Sequence, residues 1–258
     1  MYIRYITSYT CAIGSPSLSD TAYQAIKRLI VRLELQPGAA VNEEELQQRI
    51  GIGRTPVREA LQRLERDQLV SVIPRRGVFV TSIDVGDLAL LYETRSILEP
   101  YVHRLAAARG SEKHWETMDR ALQAVTKMKK PDWTDLLHAD RICHEQVWNA
   151  ANNRFLTQTL EMLYSQAERL WHQYVRDQAE LHSALDEHRA VLGALRDGNG
   201  DRAAAIIEGH VQGFENQTRA VLEQRPRNSG RVGARFPPQE ESVHRYGTRS
   251  FNAPSQSG

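Results

Sequence analysis

A change of hydrophobic period within residues 18–82 most constrains the fold of this chain. Apolar residues first recur at helical spacing in three successive segments, and the third helical segment ends near Leu69. The next residues form two short β-prone runs on either side of Pro74-Arg75-Arg76-Gly77, which is typical of a hairpin with a basic tip. Three helices and a two-stranded wing predict a winged helix-turn-helix domain. The helical segments are 21–35, 42–50 and 55–69, and the β-prone runs are 70–73 and 78–80.

Local signals predict where these helices begin. Asp20 is expected to cap the first helix. Thr55 is expected to be the N-cap of the third helix, with Pro56 as its first helical residue.

The segment from Asp84 to about Leu222 shows helical patterns almost throughout and no strand pattern. Five breaks divide it into six helices, which predicts an all-α six-helix bundle. The breaks lie near 110–111, 130–131, 151–153, 177–181 and 198–200. The fold class is therefore mostly α, with a winged helix-turn-helix over 18–82 followed by the bundle over 83–223. Residues 1–17 are expected to form an irregular arm and residues 224–258 a disordered tail.

Composition excludes several other classes of protein. The chain has 258 residues, of which 41% are hydrophobic and 25% charged, as in globular proteins. No stretch approaches the ~20 apolar residues of a membrane span, and the first 17 residues lack the pattern of a signal peptide. Only Cys11 and Cys143 are present, which is typical of a reducing compartment. We expect a cytoplasmic protein that is not bound to a membrane.

Basic side chains are concentrated in the third helix and the hairpin. Six Arg stand against three acidic residues between Arg54 and Arg76, although such runs are also common on ordinary solvated surfaces. A recognition helix enters the major groove by its N-terminal end, where arginine suits guanine O6 and N7. The first backbone N–H groups of that helix face phosphates. We therefore predict binding to double-stranded DNA through Arg54, Thr55, Arg58, Arg63, Arg75 and Arg76.

Four residues of the bundle are spaced as metal ligands. Asp140 and His144 are four apart on the apolar face of one helix. His188 and His210 lie on the apolar faces of the last two helices, equidistant from the turn at 198–200, and should face each other. Such an N₃O set suits zinc, nickel or manganese and leaves coordination positions open for water or a carboxylate. The alternative is that each histidine is a satisfied core residue. The other six, namely His103, His114, His138, His172, His182 and His244, are interpreted as surface or packing residues.

The DNA-binding segment resembles the N-terminal domain of GntR-superfamily transcription regulators. The resemblance rests on Leu35-Gln36-Pro37-Gly38, on residues 53–61 (Gly-Arg-Thr-Pro-Val-Arg-Glu-Ala-Leu) and on Gly77-Val78-Phe79-Val80. The all-helical remainder resembles the FadR-type (FCD) subgroup, so the likeness covers about 18–222. It implies the same metal ligands, because many FCD regulators carry an Asp-x-x-x-His, His, His pattern.

The same resemblance implies two effector-binding residues. Arg95 matches an Arg that lines the effector cavity, and a guanidinium suits a carboxylate. A structural salt bridge to a neighbouring helix is the alternative for Arg95. Asn153 matches a family Asn, with capping of the following helix as its alternative.

The chain departs from the family pattern at three positions. Gly53 stands where Ser or Thr is usual, Glu44 where an Arg that contacts DNA is common, and Gln68 where Gly is usual. The Glu44 difference bears on one base contact, and so on the family's usual operator sequence, but not on the fold.

Together these patterns predict a transcription regulator, specifically a repressor. We expect a homodimer on a pseudo-palindromic operator, because one winged domain reads only a half-site. A small organic acid bound at the metal would control operator affinity. The alternatives are a DNA-binding protein with a purely structural bundle and a metal-dependent enzyme, since such a site can activate water. The enzyme is disfavoured because no general base, phosphate-binding loop or nucleophile elbow is recognisable.

Overall fold

A computed structural model describes residues 16–174 and 178–223, and for 178–180 it describes the backbone alone. Residues 1–15 of the predicted arm and the predicted tail at 224–258 lie outside the described residues. The described part of the chain contains nine α-helices, one short 3-10 turn and one two-stranded antiparallel sheet. The helices are α1 Leu18–Val31, α2 Glu43–Ile50, α3 Arg54–Arg66, α4 Leu88–Arg109, α5 Glu112–Thr126, α6 Trp133–Ala150, α7 Arg154–Tyr174, α8 Gln178–Arg196 and α9 Gly200–Glu223; the strands are β1 Val70–Ile73 and β2 Gly77–Val80.

The winged helix-turn-helix prediction is confirmed. Helices α1, α2 and α3 and the hairpin enclose their own apolar core, in which Ile26, Ile30, Val57 and Leu64 are fully buried. Each of these residues lies at the helical spacing that gives an amphipathic helix one apolar face. The strands pair from Val70 opposite Val80 to Ile73 opposite Gly77. Residues 74–76 between them form the tip, which carries the wing arginines.

The starts of α1 and α3 differ from the sequence prediction. Ser17, not Asp20, is the N-cap of α1; Asp20 lies three residues inside and completes a reciprocal capping box with Ser17. Gly53 is the N-cap of α3, so Thr55 and Pro56 lie within the first turn. The first four N–H groups of a helix have no intrahelical partner. Pro56, the third residue of α3, therefore costs no hydrogen bond, and its presence does not determine where the helix begins.

The six predicted helices of the bundle are also confirmed, as α4 to α9. Large aromatic side chains fill the interior, and Tyr92, Trp148, Tyr164 and Trp171 are all fully buried. The indole Nε1 of Trp171 donates to the Tyr92 hydroxyl at 2.7 Å, which satisfies both buried polar groups. The polar cluster described below lies within this aromatic interior.

Helix α7 holds the winged domain against the bundle. Lys27 on α1 forms an ion pair of 2.8 Å with Glu161 on α7. The guanidinium of Arg169, also on α7, donates to the backbone oxygen of Thr81 and, at 2.9 Å, to its hydroxyl. Thr81 follows β2 directly and also donates to the backbone oxygen of Gln68 at 2.8 Å. The first helix and the end of the wing are thus both tied to one helix of the bundle.

Gln68 adopts a left-handed backbone conformation, with φ of 59°. It makes the turn between α3 and β1, where the resembling family usually has Gly. Glycine reaches this region without steric cost, whereas a residue with a Cβ is strained there. The departure from the family pattern therefore leaves the fold intact and adds local strain. None of the helices within the described ranges is long and apolar enough to cross a membrane.

Candidate metal centre and nucleic-acid interface

The structure brings all four predicted metal ligands together in the interior of the bundle. Helix α6 supplies Asp140 and His144 one turn apart, α8 supplies His188 and α9 supplies His210, all of them buried. Their ligand atoms all lie within 4.8 Å of one another. The rings of His188 and His210 face each other with centroids 4.6 Å apart, as their equal distance from the 198–200 turn predicts.

The three imidazoles turn the same nitrogen toward one carboxylate. His188 Nε2 lies 2.8 Å and His210 Nε2 3.6 Å from Asp140 Oδ1, while His144 Nε2 lies 3.9 Å from Asp140 Oδ2. A carboxylate oxygen and three Nε2 atoms therefore surround a common centre. This is the donor set of transition-metal sites in proteins.

The unsatisfied nitrogens of the cluster fit a metal ion. Among the described residues, neither His144 Nε2 nor His210 Nε2 has a hydrogen-bond partner, although both are buried. A buried polar atom without a partner is costly, and a cation bound there would satisfy both. Two ligands of one such ion are at most about 4.2 Å apart, so the observed 4.8 Å requires only a small contraction.

Three further side chains lie against the four predicted ligands, and the sequence analysis missed all of them. Glu99 on α4 has Oε1 3.3 Å from His144 Nδ1, and Glu187 has Oε2 2.8 Å from His210 Nδ1. The hydroxyl of Tyr164 on α7 donates to Asp140 Oδ2 at 2.6 Å. Carboxylates on the far nitrogen fix the ring orientation of metal-ligating histidines. The sequence signals for them are weak: Glu99 lies one helical turn after Arg95, and Glu187 directly precedes His188.

Electrostatics keep the cluster in a ligating form. Burial alone raises the pKa of the Asp140 carboxyl, but the hydrogen bond from His188 and the nearby histidines outweigh burial and hold the pKa well below its usual range. Burial also lowers the pKa of His144 to about 4, against the opposing pull of Glu99. Near pH 7 the carboxylate is therefore ionised and the His144 ring neutral, as metal binding requires.

Arg95 lies beside the cluster, and its ion pair is not the interhelical salt bridge considered in the sequence analysis. Its guanidinium is 1% exposed, is surrounded by aromatic rings and contacts Glu99 Oε1 through Nη2 at 3.2 Å. The salt bridge is thus within α4 rather than to a neighbouring helix. Arg95 Nε and Nη1 have no hydrogen-bond partner among the described residues. Two buried donors are left for an anion.

Asn153 caps the helix that follows it, which is the alternative considered for it in the sequence analysis. Its side-chain oxygen accepts from the backbone N–H groups of Phe155, at 3.1 Å, and Leu156, at 3.4 Å, at the start of α7. No contact of Asn153 within the described residues favours an effector role. His103 is a buried packing residue, as interpreted, with Nδ1 2.7 Å from the backbone oxygen of Glu99.

The N-terminal end of α3 presents two exposed arginines next to one carboxylate. Arg58 Nε lies 2.8 Å from Glu43 Oε2, and Arg54 Nε lies 3.9 Å from the same oxygen. Thr55, between them, is exposed as well. Arg75 and Arg76 are exposed at the hairpin tip, where Arg75 has a φ of 63°.

Arg63, the sixth residue predicted to contact DNA, makes contacts that the other five do not. Its guanidinium lies over the Tyr23 ring, 4.2 Å from the centroid, and Nη1 is 2.6 Å from Asp20 Oδ1. Arg63 lies in the last turn of α3, far from the N-terminal end of the helix, and there it meets α1. Arg63 therefore joins α1 to α3, and its role in DNA contact stays a prediction.

A winged helix-turn-helix domain joined to a helical domain with a buried His/Asp cluster is the architecture of a two-domain, DNA-binding regulator. Residues 18–80 match the family described as bacterial regulatory proteins, gntR family, and residues 90–213 match the FCD domain. The chain belongs to the GntR family of transcriptional regulators and carries an FCD domain. FCD domains are known to bind metal. Members of this family are regulators and not enzymes, which sets the enzyme alternative aside.

Relatives and solved structures agree with this assignment. The chain is 25% identical over 210 residues to the uncharacterized HTH-type transcriptional regulator YdhC of Bacillus subtilis, covering 80% of this chain and 93% of that protein. It is 24% identical over 208 residues to the HTH-type transcriptional repressor RspR of Escherichia coli, with 80% and 91% covered. The structure of E. coli McbR/YncC shares its fold, with a TM-score of 0.69, 22% identity and 81% and 99% covered.

Proposed function

We propose that this protein is a metal-containing, effector-responsive repressor that binds a pseudo-palindromic operator as a homodimer. The observation that carries the proposal is the buried cluster of Asp140, His144, His188 and His210, connected to the DNA-binding domain through α7. A regulator that binds DNA acts where the DNA is, which favours the cytoplasm. One relative, RspR, is described as a repressor, and this supports the sign of the regulation.

DNA contact is assigned to the N-terminal end of α3 and to the wing. Arg54 and Arg58 read base edges in the major groove, and the exposed start of α3 at Thr55 faces the phosphates. Arg75 and Arg76 reach the adjacent groove or backbone from the hairpin tip. All five residues are exposed, and exposure is what such contacts require.

A homodimer is supported by an apolar stripe on the exposed face of α4. Leu90, Ile97 and Tyr101 are 62%, 67% and 53% exposed. They recur at intervals of seven and four residues, which places them along one side of the helix. Exposed apolar stripes of this kind mark protein–protein contacts, and a second copy supplies the second recognition helix for a palindromic site.

The buried cluster is proposed to hold one divalent transition metal, with zinc, nickel or manganese as candidates. When bound, such an ion supplies open coordination positions that a small carboxylate can take. The unpaired Nε and Nη1 of Arg95 are proposed to bind the same acid, since a guanidinium matches a carboxylate. Glu99 joins the two, because it contacts both Arg95 and His144. Asn153 is left out of the proposed effector site because it caps α7.

Helix α7 is proposed to carry the signal between the two domains. Tyr164 donates to the ligand Asp140 at 2.6 Å, and Arg169, five residues later, donates to Thr81 at the end of the wing. A shift of the Asp140 carboxylate on effector binding would therefore be felt on the helix that positions the wing. Such coupling requires that the acid bind the two arrangements with different affinity.

Elemental analysis of the purified full chain tests the metal site first. We expect about one equivalent of a transition metal per chain, and release of operator DNA by one class among a panel of small carboxylates. A metal-free chain that also fails to take up zinc, nickel or manganese would instead favour the purely structural bundle. In parallel, Arg58→Ala should abolish specific DNA binding while the far-ultraviolet circular dichroism is retained.

A further inference from the structure

Glu43 is in contact with the arginines proposed to read the operator. It is the first residue of α2, and its Oε2 atom lies 2.8 Å from Arg58 Nε and 3.9 Å from Arg54 Nε on α3. The Glu43 side chain is 29% exposed, whereas those of Arg58 and Arg54 are 52% and 67% exposed. A partly buried carboxylate thus accepts a hydrogen bond from the inner nitrogen of Arg58 and lies near that of Arg54.

The nitrogen used in this contact determines what Arg58 can still do. The ion pair occupies Nε and leaves the two terminal nitrogens of the fork outside it. Bidentate recognition of guanine requires two parallel N–H groups, one to O6 and one to N7. An arginine held at Nε can present the terminal pair to a base, and less of its rotamer entropy is lost on binding.

The position of Glu43 is unexpected for a residue near DNA. It adds a negative charge next to the surface proposed to approach the phosphates, where a carboxylate opposes binding. The charge is therefore unfavourable for non-specific affinity. This loss of affinity is compensated if the contact with Arg58 holds the guanidinium in the orientation that reads a base.

We propose that Glu43 is a positioning residue for sequence recognition, which aims Arg58, and more loosely Arg54, at guanine. The proposal rests on the recognition-helix assignment made under Proposed function. It makes Glu43 a source of base discrimination and not of affinity. Removing its carboxylate lowers specific binding while non-specific binding stays equal or rises.

Glu45 provides the matched control. It lies two residues after Glu43 in the first turn of α2, carries the same charge and is exposed. Within the described residues, the ion pairs between α2 and the α3 arginines involve Glu43 and not Glu45. Glu45→Gln therefore removes an equal charge from the same turn without releasing Arg58.

The probes are two labelled duplexes: one enriched by the wild-type full chain from a random-sequence library, and its scrambled counterpart. Fluorescence anisotropy at several salt concentrations measures both affinities. For Glu43→Gln we expect the ratio of specific to non-specific affinity to fall about tenfold, within the range of one bidentate contact. Glu45→Gln should raise both affinities alike and keep the ratio.

A second variant distinguishes the orientation of Arg58 from the charge of Glu43. It also keeps the inference testable if the first variant does not fold. Glu43→Asp keeps the charge but shortens the side chain by one methylene, so it should lose discrimination while non-specific affinity stays the same. An unchanged ratio in Glu43→Gln and Glu43→Asp, with Arg58→Ala still losing specific binding, overturns this inference alone. If Arg58→Ala keeps specific binding, or if the wild type enriches no sequence, the recognition-helix assignment fails as well.

Discussion

Replacement of Arg169 by Met tests the contact between α7 and the winged domain. The guanidinium of Arg169 is fully buried and donates to the Thr81 hydroxyl at 2.9 Å and to Gln166 Oε1 at 3.0 Å. It also donates to the Thr81 backbone oxygen. Methionine keeps most of the apolar stem, so the variant removes the charge and the three hydrogen bonds with little change in packing.

Two opposing terms set the expected size of the effect. Hydrogen bonds from a charged donor contribute roughly 1.5–3 kcal/mol each. Burial opposes them: it lowers the pKa of Arg169 from 12.5 to about 10, which corresponds to a cost of about 3 kcal/mol for the charged form. The hydrogen bonds outweigh this cost, and Arg169→Met should lower the free energy of unfolding by about 2–4 kcal/mol.

Urea denaturation and calorimetry of the full chain measure this loss. For a chain of this size we expect the midpoint of thermal unfolding to fall by roughly 5–15 °C. Arg154→Met is the matched control, because Arg154 begins the same helix and its guanidinium lies exposed over the Phe155 ring. A loss below about 0.5 kcal/mol, or one no larger than in Arg154→Met, would refute the argument that Arg169 fastens the wing.

Three further predictions follow from local geometry and charge. Gln68→Gly should stabilise the chain by about 0.5–1 kcal/mol, since it relieves a left-handed backbone; a lower thermal midpoint would contradict this. Glu99→Gln should weaken zinc affinity about 10–100-fold in chelator competition, and Glu93→Gln, on the exposed face of α4, should not; equal affinities would show that Glu99 does not orient His144. Burial lowers the pKa of both His103 and His144 to about 4, below the ordinary 6.5. The unfolded chain then binds more protons, so the stability of the metal-free protein should fall as pH drops from 6.5 to 4; a constant thermal midpoint across that window would disprove it.

Much of this molecule was predictable because local spacing determines which residues share a face. The helix-to-strand change near Leu69 identified the wing, and the i, i+4 pair Asp140 and His144 identified two inward ligands. The equal distance of His188 and His210 from their turn predicted that they face each other. In two antiparallel helices joined by a short turn, residues equidistant from the turn lie at the same height. Each of these inferences uses only neighbours along the chain.

Contacts between elements far apart in sequence were not predictable in this way. Arg63 has the same chemistry as Arg58, yet one stacks on Tyr23 of α1 and the other pairs with Glu43 of α2. The spacing of the sequence does not say which neighbouring helix a long side chain meets. The helix packing and the rotamer it allows decide that.

The amino-acid sequence by itself therefore determined the order of elements, the two cores and the convergence of Asp140, His144, His188 and His210. Only the tertiary structure decided that Glu99 and Glu187 lie against the histidines and that α7 joins the cluster to the wing. The reason is physical: periodicity specifies the face of a helix, whereas the partners of that face depend on how all the helices pack together.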